Sequence, residues 1–206
     1  MKKRIREKAV IWDKEYKKAK LWEVKPHEYS RLATRIVPKG RVLDLGSGEG
    51  YDCLFFASRG HSVVGVDISK TAVSNMLQEA RRQNILIKGV VSDLNKYNIT
   101  GAYDIVVSYG ALQFLGSKFK KVLSLLKQKM RHGGVHSFYI FGNKGDFFNI
   151  AKERFFFPSI LELKEIYQDW KIAKLEKKNA KLLMRGDRGE ALYNDMFKLL
   201  VQKPQK

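Results

Sequence analysis

The sequence predicts an α/β protein with a doubly wound, mostly parallel sheet and helices on both faces. Three observations carry that prediction. Strand-like and helix-like patterns alternate five times between residues 41 and 141. The first strand breaks into a turn with glycine at every second position, Arg41-Val42-Leu43-Asp44-Leu45-Gly46-Ser47-Gly48-Glu49-Gly50. The second strand, His61 to Val66, is followed by Asp67, close to the spacing at which a βαβ nucleotide fold places the acid that binds ribose hydroxyls.

Each element has a local cause. In the turn, glycines let the backbone approach a ligand. Leu54-Phe55-Phe56-Ala57 has helical spacing, and Gly60 supplies a C-cap. Ser69 is the expected N-cap of an amphipathic helix over Thr71 to Gln83, with Ala72, Val73, Met76 and Ala80 as its inner stripe. The apolar run Ile85 to Val91 predicts a third strand, which delivers Ser92-Asp93-Leu94, and Tyr103 to Ser108 predicts a fourth. A helix is expected from Lys118 to Met130, with Phe119, Val122, Leu123, Leu126 and Met130 inward. Arg131 to Val135 reads as a turn into a fifth strand, His136 to Phe141, so His132 and His136 are read as structural. Beyond it come a short helix, Ser159 to Gln168, and strand candidates at Lys171 to Lys177 and Ala191 to Gln202.

The turn indicates which cofactor to expect. A dinucleotide fingerprint, Gly-x-Gly-x-x-Gly or Ala, offers a helix N-terminus to a pyrophosphate, but its third position here is Tyr51. Asp44, two residues before the first glycine, would repel a pyrophosphate and suits an ammonium group. S-adenosylmethionine offers that ammonium and no phosphate. From Asp44 to Gly50 the chain resembles class I S-adenosylmethionine-dependent methyltransferases, whose first motif is acid-x-Gly-x-Gly-x-Gly. The resemblance implies a Rossmann-like, seven-stranded sheet whose last strand is antiparallel, with S-adenosylhomocysteine as product. It also implies that Asp93 accepts a hydrogen bond from the adenine amino group, although a plain turn Asp is the alternative. The expected cofactor contacts are Tyr16, Asp44, Gly46, Ser47, Gly48, Gly50, Asp67, Ile68, Ser92, Asp93, Leu94 and Ser108.

Composition sets the outer bounds. At 206 residues one globular domain is expected, with a basic helical arm over 1–38, a cofactor-binding core over 39–142 and substrate-side loops with closing strands over 143–206. No apolar run approaches the roughly 18 residues of a membrane span, so a cytoplasmic protein is the expectation. The single cysteine, Cys53, excludes an internal disulfide and a cysteine metal cluster, and no metal is expected. The formal charge of +19 is densest in residues 1–41, which carry nine of the surplus positive charges. Such a surface attracts nucleic acid, or else lysines such as Lys14, Lys17, Lys18 and Lys20 are simply solvated.

A narrower resemblance runs through Asp93-Leu94-Asn95, Tyr103-Asp104, Phe114-Leu115, Gly133-Gly134, Phe155 to Pro158, Leu161-Glu162-Leu163 and Tyr167-Gln168-Asp169-Trp170. It is similar to the tellurite-resistance methyltransferase family, while Arg59 to Ser69 also resembles thiopurine methyltransferases. Both groups methylate small, soft nucleophiles, which implies a metalloid oxyanion or a thiol as acceptor. Arg185 is the basic residue nearest to an arginine of the tellurite group's late active-site loop, though the flanking residues depart from that pattern.

Direct displacement of an activated methyl group needs alignment above all, and near-attack positioning supplies about 7–11 kcal/mol. A neutral acceptor would also need a base, and none stands out: Tyr109, His27 and Tyr16 are the candidates that the pattern brings near the methyl, and each reads more readily as packing or a cofactor contact. Arg185 and Arg188 read either as a lid that attracts an oxyanion or as a solvated hairpin loop. Phe147, Phe148, Phe155, Phe156 and Phe157 either wall a pocket or fill the core. Two other function classes stay open: an RNA or DNA methyltransferase using the basic surface, and a non-catalytic cofactor-binding protein. Against the first, Ser108-Tyr109-Gly110-Ala111 stands where base-amino methylation uses Asn/Asp-Pro-Pro-aromatic, and no Pro-Cys pair exists. Oligomeric state is not legible.

Overall fold

The parallel strands assemble around the first, whose apolar side chains are buried on both sheet faces. In the computed structural model, which describes residues 2–18 and 25–205, β1 (Arg41–Leu45) pairs in parallel with β2 (Ser62–Asp67) on one side and β4 (Tyr103–Tyr109) on the other. β3 (Lys88–Val91) lies outside β2, and β5 (Met130–Gly145) continues the parallel set beyond β4. β7 (Ala191–Gln202) is antiparallel to both β5 and β6 (Lys171–Arg185), so the seven-stranded order is β3-β2-β1-β4-β5-β7-β6. The order reverses between β1 and β4, and ligands of open α/β sheets bind in the crevice at the carboxyl ends of strands at such a point.

Helices cover both faces. On one face α2 (Glu28–Ile36), α3 (Tyr51–Ala57) and α4 (Lys70–Arg82) bury Tyr29, Ala33, Phe56, Val73 and Met76 against the sheet. On the other, a 3₁₀ turn (Leu112–Lys118), α5 (Phe119–Lys129) and α7 (Ile160–Ile166) bury Leu115, Phe119, Leu123, Leu126 and Leu163. α6 (Asp146–Ala151) follows β5, and α1 (Lys2–Lys18) rests on α4. Lys14 and Lys17 are exposed, as solvated lysines would be, while Lys20 lies outside the described residues. No described helix is long and apolar enough to cross a membrane.

Several boundaries differ from the sequence expectation, each for a local reason. α4 has the expected inner stripe and Ser69 cap, but the chain leaves it through Asn84 at φ 55°, with the Ile85 N–H closing on the Ala80 carbonyl. That stop occupies Ile85 and leaves Leu86 93% exposed, so β3 begins only at Lys88 rather than Ile85. The fifth strand extends from Met130 through Gly145; the expected Gly133-Gly134 turn is an irregularity within it, between the Tyr103–Met130 and Ile105–Val135 pairs. α5 begins at Phe119 and hands Met130 to the strand. β6 runs eight residues past Lys177, because a ladder with β7 pairs the backbone of its lysine-rich half. α7 is shorter than expected and carries a reciprocal capping box between Ser159 and Glu162.

Tyr167 and Trp170 are part of the core. The Tyr167 hydroxyl lies 2.8 Å from His136 Nδ1, the Trp170 ring packs 4.8 Å from that imidazole, and Lys127 caps the cluster by bonding the Ile166 carbonyl and Asp169. His136 is fully buried, as a structural histidine, and burial pushes its pKa down to about 3. An unfolded histidine titrates near about 6.5. Between those values the unfolded chain binds a proton that the folded chain refuses, so folding stability is lost as pH falls through that window. Denaturant midpoints measured from neutral pH to about pH 4 should therefore drop. A His136→Gln variant, weaker at neutral pH, should show a shallower drop; an unchanged slope would remove His136 from the account.

Candidate active site at the β1–β4 switch point

The glycine turn is locked to the end of β2 by its own backbone. Gly46 and Ser47 N–H groups donate to the Val66 carbonyl at 2.8 and 3.1 Å, and Gly50 N–H donates to the Ser47 carbonyl. Gly48 N–H donates to Asp67 Oδ2 at 2.9 Å. These N–H groups are the ones a phosphate-binding turn would point at its ligand. Here those of Gly46, Ser47, Gly48 and Gly50 are already used within the protein.

Close approach explains two of the glycines. A Cβ on Gly46, at φ 77°, would sit 2.2 Å from the Ala111 Cβ, and one on Gly48, at φ 53°, would meet the Tyr16 hydroxyl at 2.7 Å. Tyr16, from α1, thus lies directly over the turn. Gly110, past the end of β4, has no atom within 4 Å of the position its Cβ would take. The crevice opens there.

Three carboxyls converge beneath and beside the turn. Asp44 is buried and accepts a hydrogen bond from Cys53 Sγ at 3.3 Å. Burial, reinforced by the charges of Asp52 and Asp67, holds the Asp44 carboxyl well above the usual range. Asp67 Oδ1 accepts from the Ser69 N–H at 2.8 Å, and burial raises this carboxyl despite its backbone donors. The third, Asp52, escaped the sequence reading because nothing local marks it. It opens α3, is buried, and takes both the backbone N–H and the ring Nδ1 of His27, at 3.0 and 2.7 Å. Asp13, from α1, was missed for the same reason: it accepts from the Ser69 hydroxyl at 2.5 Å and the Thr71 N–H at 3.0 Å, clamping α1 to the start of α4.

The remaining expected residues fall into two groups. Ser108 donates its hydroxyl to the Leu45 carbonyl at 2.7 Å and so ties β4 to β1. Ser92 N–H bonds the Asp67 carbonyl, next to Ile68 at the end of β2. Asp93 Oδ1 accepts from the backbone and side chain of Asn95, the turn-forming pattern that was the alternative to an adenine contact, and Leu94 packs on the core beside it. The Ser47 hydroxyl is buried with no partner among the described residues, which leaves it for a ligand.

Beyond the turn lies an aromatic wall. His27 stacks on Tyr109, ring centroids 4.1 Å apart, and Tyr139 packs against both. The Tyr109 hydroxyl is held between Ser30 Oγ and Ser137 Oγ at 2.7 and 2.8 Å, and burial pushes its pKa well up. Tyr109 therefore offers the crevice a ring face, not a base. Trp12, Phe114, Phe155 and Phe147 continue as successive ring contacts, whereas Phe157 is buried, Phe156 stacks on Phe119 in the core and Phe148 packs on Phe157. Arg185 stands elsewhere. It is exposed at the tip of the β6–β7 hairpin, paired with Ala191, and Arg188 is exposed in the turn between them. The strand register puts that tip on the same sheet edge as the crevice, about seven residues or roughly 23 Å of strand past the Tyr109–Tyr139–Lys198 level.

Known proteins share the sequence pattern and the fold. Residues 9–197 match the family described as Tellurite resistance protein TehB. A Haemophilus influenzae protein called "Probable S-adenosyl-L-methionine-dependent methyltransferase TehB" is 25% identical over 83% of this chain and 60% of its own length. Hemagglutinin 1 of Eikenella corrodens is also 25% identical, over 86% of this chain and 59% of its own length. The crystal structure of TehB from Haemophilus influenzae superposes with a TM-score of 0.75 at 23% identity, covering 86% of this chain and 62% of that one. The chain thus spans about three fifths of the length of the curated relatives it matches. With the match running from α1 into β7, the chain belongs to the tellurite resistance protein TehB family.

Proposed function

We propose that the chain is an S-adenosylmethionine-dependent methyltransferase that passes a methyl group to a small, soft or anionic acceptor, a metalloid oxyanion or a thiol, by direct displacement. The observation that carries this reading is the turn itself: its N–H groups are used internally and its ligand-facing charges are carboxyls. A pyrophosphate would find repulsion there, and a cation bearing ribose hydroxyls and an ammonium would find acceptors. Family membership and the name of the Haemophilus influenzae relative support the same donor.

The donor supplies a methyl group already activated by sulfonium charge. The chain supplies position. In this reading Asp44 faces the ammonium across the turn, Asp67 and Ile68 take the ribose, and Ser92, Asp93 and Leu94 border the adenine. Gly46, Ser47, Gly48, Gly50, Tyr16 and Ser108 shape the slot. Tyr109 and His27 flank the acceptor beside the opening at Gly110, and Arg185 and Arg188 form a basic rim that draws an anionic acceptor in.

The direct test is S-adenosylhomocysteine release measured across tellurite, selenite, small thiols, amines and RNA. Release with a small soft acceptor is expected, and release with RNA alone would replace this reading with the nucleic-acid one. Asp44→Asn tests the turn. Because burial raises the Asp44 carboxyl, the ligand-free protein gains stability when the group is protonated and loses it as pH rises through the raised value. At neutral pH the variant should therefore melt higher than the parent while binding S-adenosylmethionine about 10- to 100-fold more weakly in calorimetry. Unchanged affinity would take Asp44 out of the site. Arg185→Ala should reduce turnover of an anionic acceptor several-fold and leave cofactor affinity within about twofold; equal losses in both would show that the hairpin shapes the cofactor slot instead.

A further inference from the structure

Buried carboxylates require partners, and Asp52 finds its own in His27. The side chain of Asp52 is buried, and its two oxygens accept from one residue: Oδ1 from the His27 backbone N–H and Oδ2 at 2.7 Å from ring Nδ1. An ionised carboxylate only accepts, so the bond fixes a proton on Nδ1 and makes Nε2 the nitrogen that can exchange one. The His27 side chain is 41% exposed, and Nε2 bonds no described residue. Its ring is held by stacking on Tyr109 at 4.1 Å and by the edge of Tyr139 at 5.2 Å. Tyr109 closes β4 at the switch point and Gly110 after it faces open space, so the His27 ring, stacked on Tyr109, lies beside that opening. Orientation by a third group is what a proton-accepting histidine requires.

Resting on the methyltransferase reading, we propose that His27 is the base that removes the acceptor's proton, that Asp52 is its positioning residue, and that the acceptor is a thiol. A metalloid oxyanion attacks with a lone pair it already holds and gains nothing from such a dyad. An aliphatic hydroxyl gives up its proton to an imidazole only in concert with attack, whereas a thiol, near about 8.5, is the protonated acceptor that an imidazole ionises most readily. The step balances. The thiol proton passes to Nε2, the sulfur lone pair forms the bond to the methyl carbon, and the electron pair of the breaking carbon–sulfonium bond stays on the departing thioether. The imidazolium so formed faces the Asp52 carboxylate.

The test uses the full chain with S-adenosylmethionine and two thiols of different acidity: dithiothreitol, mostly protonated at neutral pH, and 4-nitrothiophenol, already ionised there. Turnover and cofactor affinity are measured for His27→Ala, His27→Gln and Asp52→Asn. His27→Gln keeps a donor to Asp52 and so guards against a folding artefact. Turnover of dithiothreitol should fall about 100-fold in both His27 variants and about 10-fold in Asp52→Asn. With 4-nitrothiophenol the losses should shrink to less than about threefold, with cofactor affinity near that of the parent. Equal losses on both thiols would mean that the pair only anchors α2, and methylation of tellurite but of neither thiol would overturn the thiol assignment. A parent protein that binds no S-adenosylmethionine would instead refute the underlying methyltransferase reading.

Discussion

The bond network between the glycine turn and the end of β2 is the constraint from which the rest of the site follows. By giving its N–H groups to the Val66 carbonyl and the Asp67 carboxyl, the turn fixes its own shape and the direction of Asp67. Ser69, two residues on, takes the other oxygen of Asp67 while capping α4. Asp13 then reaches the Ser69 hydroxyl and draws α1 across the crevice, which brings Tyr16 over Gly48. One short run of hydrogen bonds thus joins the floor of the crevice, its acidic wall and its cover.

That arrangement is costly in the absence of a ligand. Burial and the nearby charges of Asp52 and Asp67 disfavour the Asp44 carboxylate, burial raises Asp67 as well, and neither effect helps the fold. Backbone donors offset part of the cost at Asp67, the His27 bonds do so at Asp52, and among the described residues Asp44 has the Cys53 thiol. Such a deficit is expected where a cation completes the site, since binding relieves it. Surfaces remote from the crevice show ordinary pairing, as at Arg131–Asp104 and Lys177–Asp195.

What the sequence made legible were features with local causes. Glycine spacing, the Ser69 cap, the stripe of α4 and the alternation of elements each sit within about a dozen residues, so periodicity and turn chemistry identify them. The missed features depend on partners far along the chain. Asp13 and Asp52 look like ordinary helix acids until Ser69 and His27 are placed beside them. The lysine-rich half of β6 reads as a loop because its strand character comes from the ladder with β7. Ile85 and Leu86 read as strand because their apolar character hides a helix stop. Tyr167 and Trp170, part of the family resemblance, pack around His136, a partner 31 residues before Tyr167 that the local sequence does not mark.

The central claim is that the turn admits a cationic nucleoside and rejects a phosphate-bearing one. Calorimetric titration of the ligand-free protein with S-adenosylhomocysteine, S-adenosylmethionine and a nicotinamide dinucleotide at one ionic strength tests it most directly. Saturable binding of both S-adenosyl compounds, with no heat from the dinucleotide, is the predicted result. Saturable dinucleotide binding, or no binding of either S-adenosyl compound, would contradict the account.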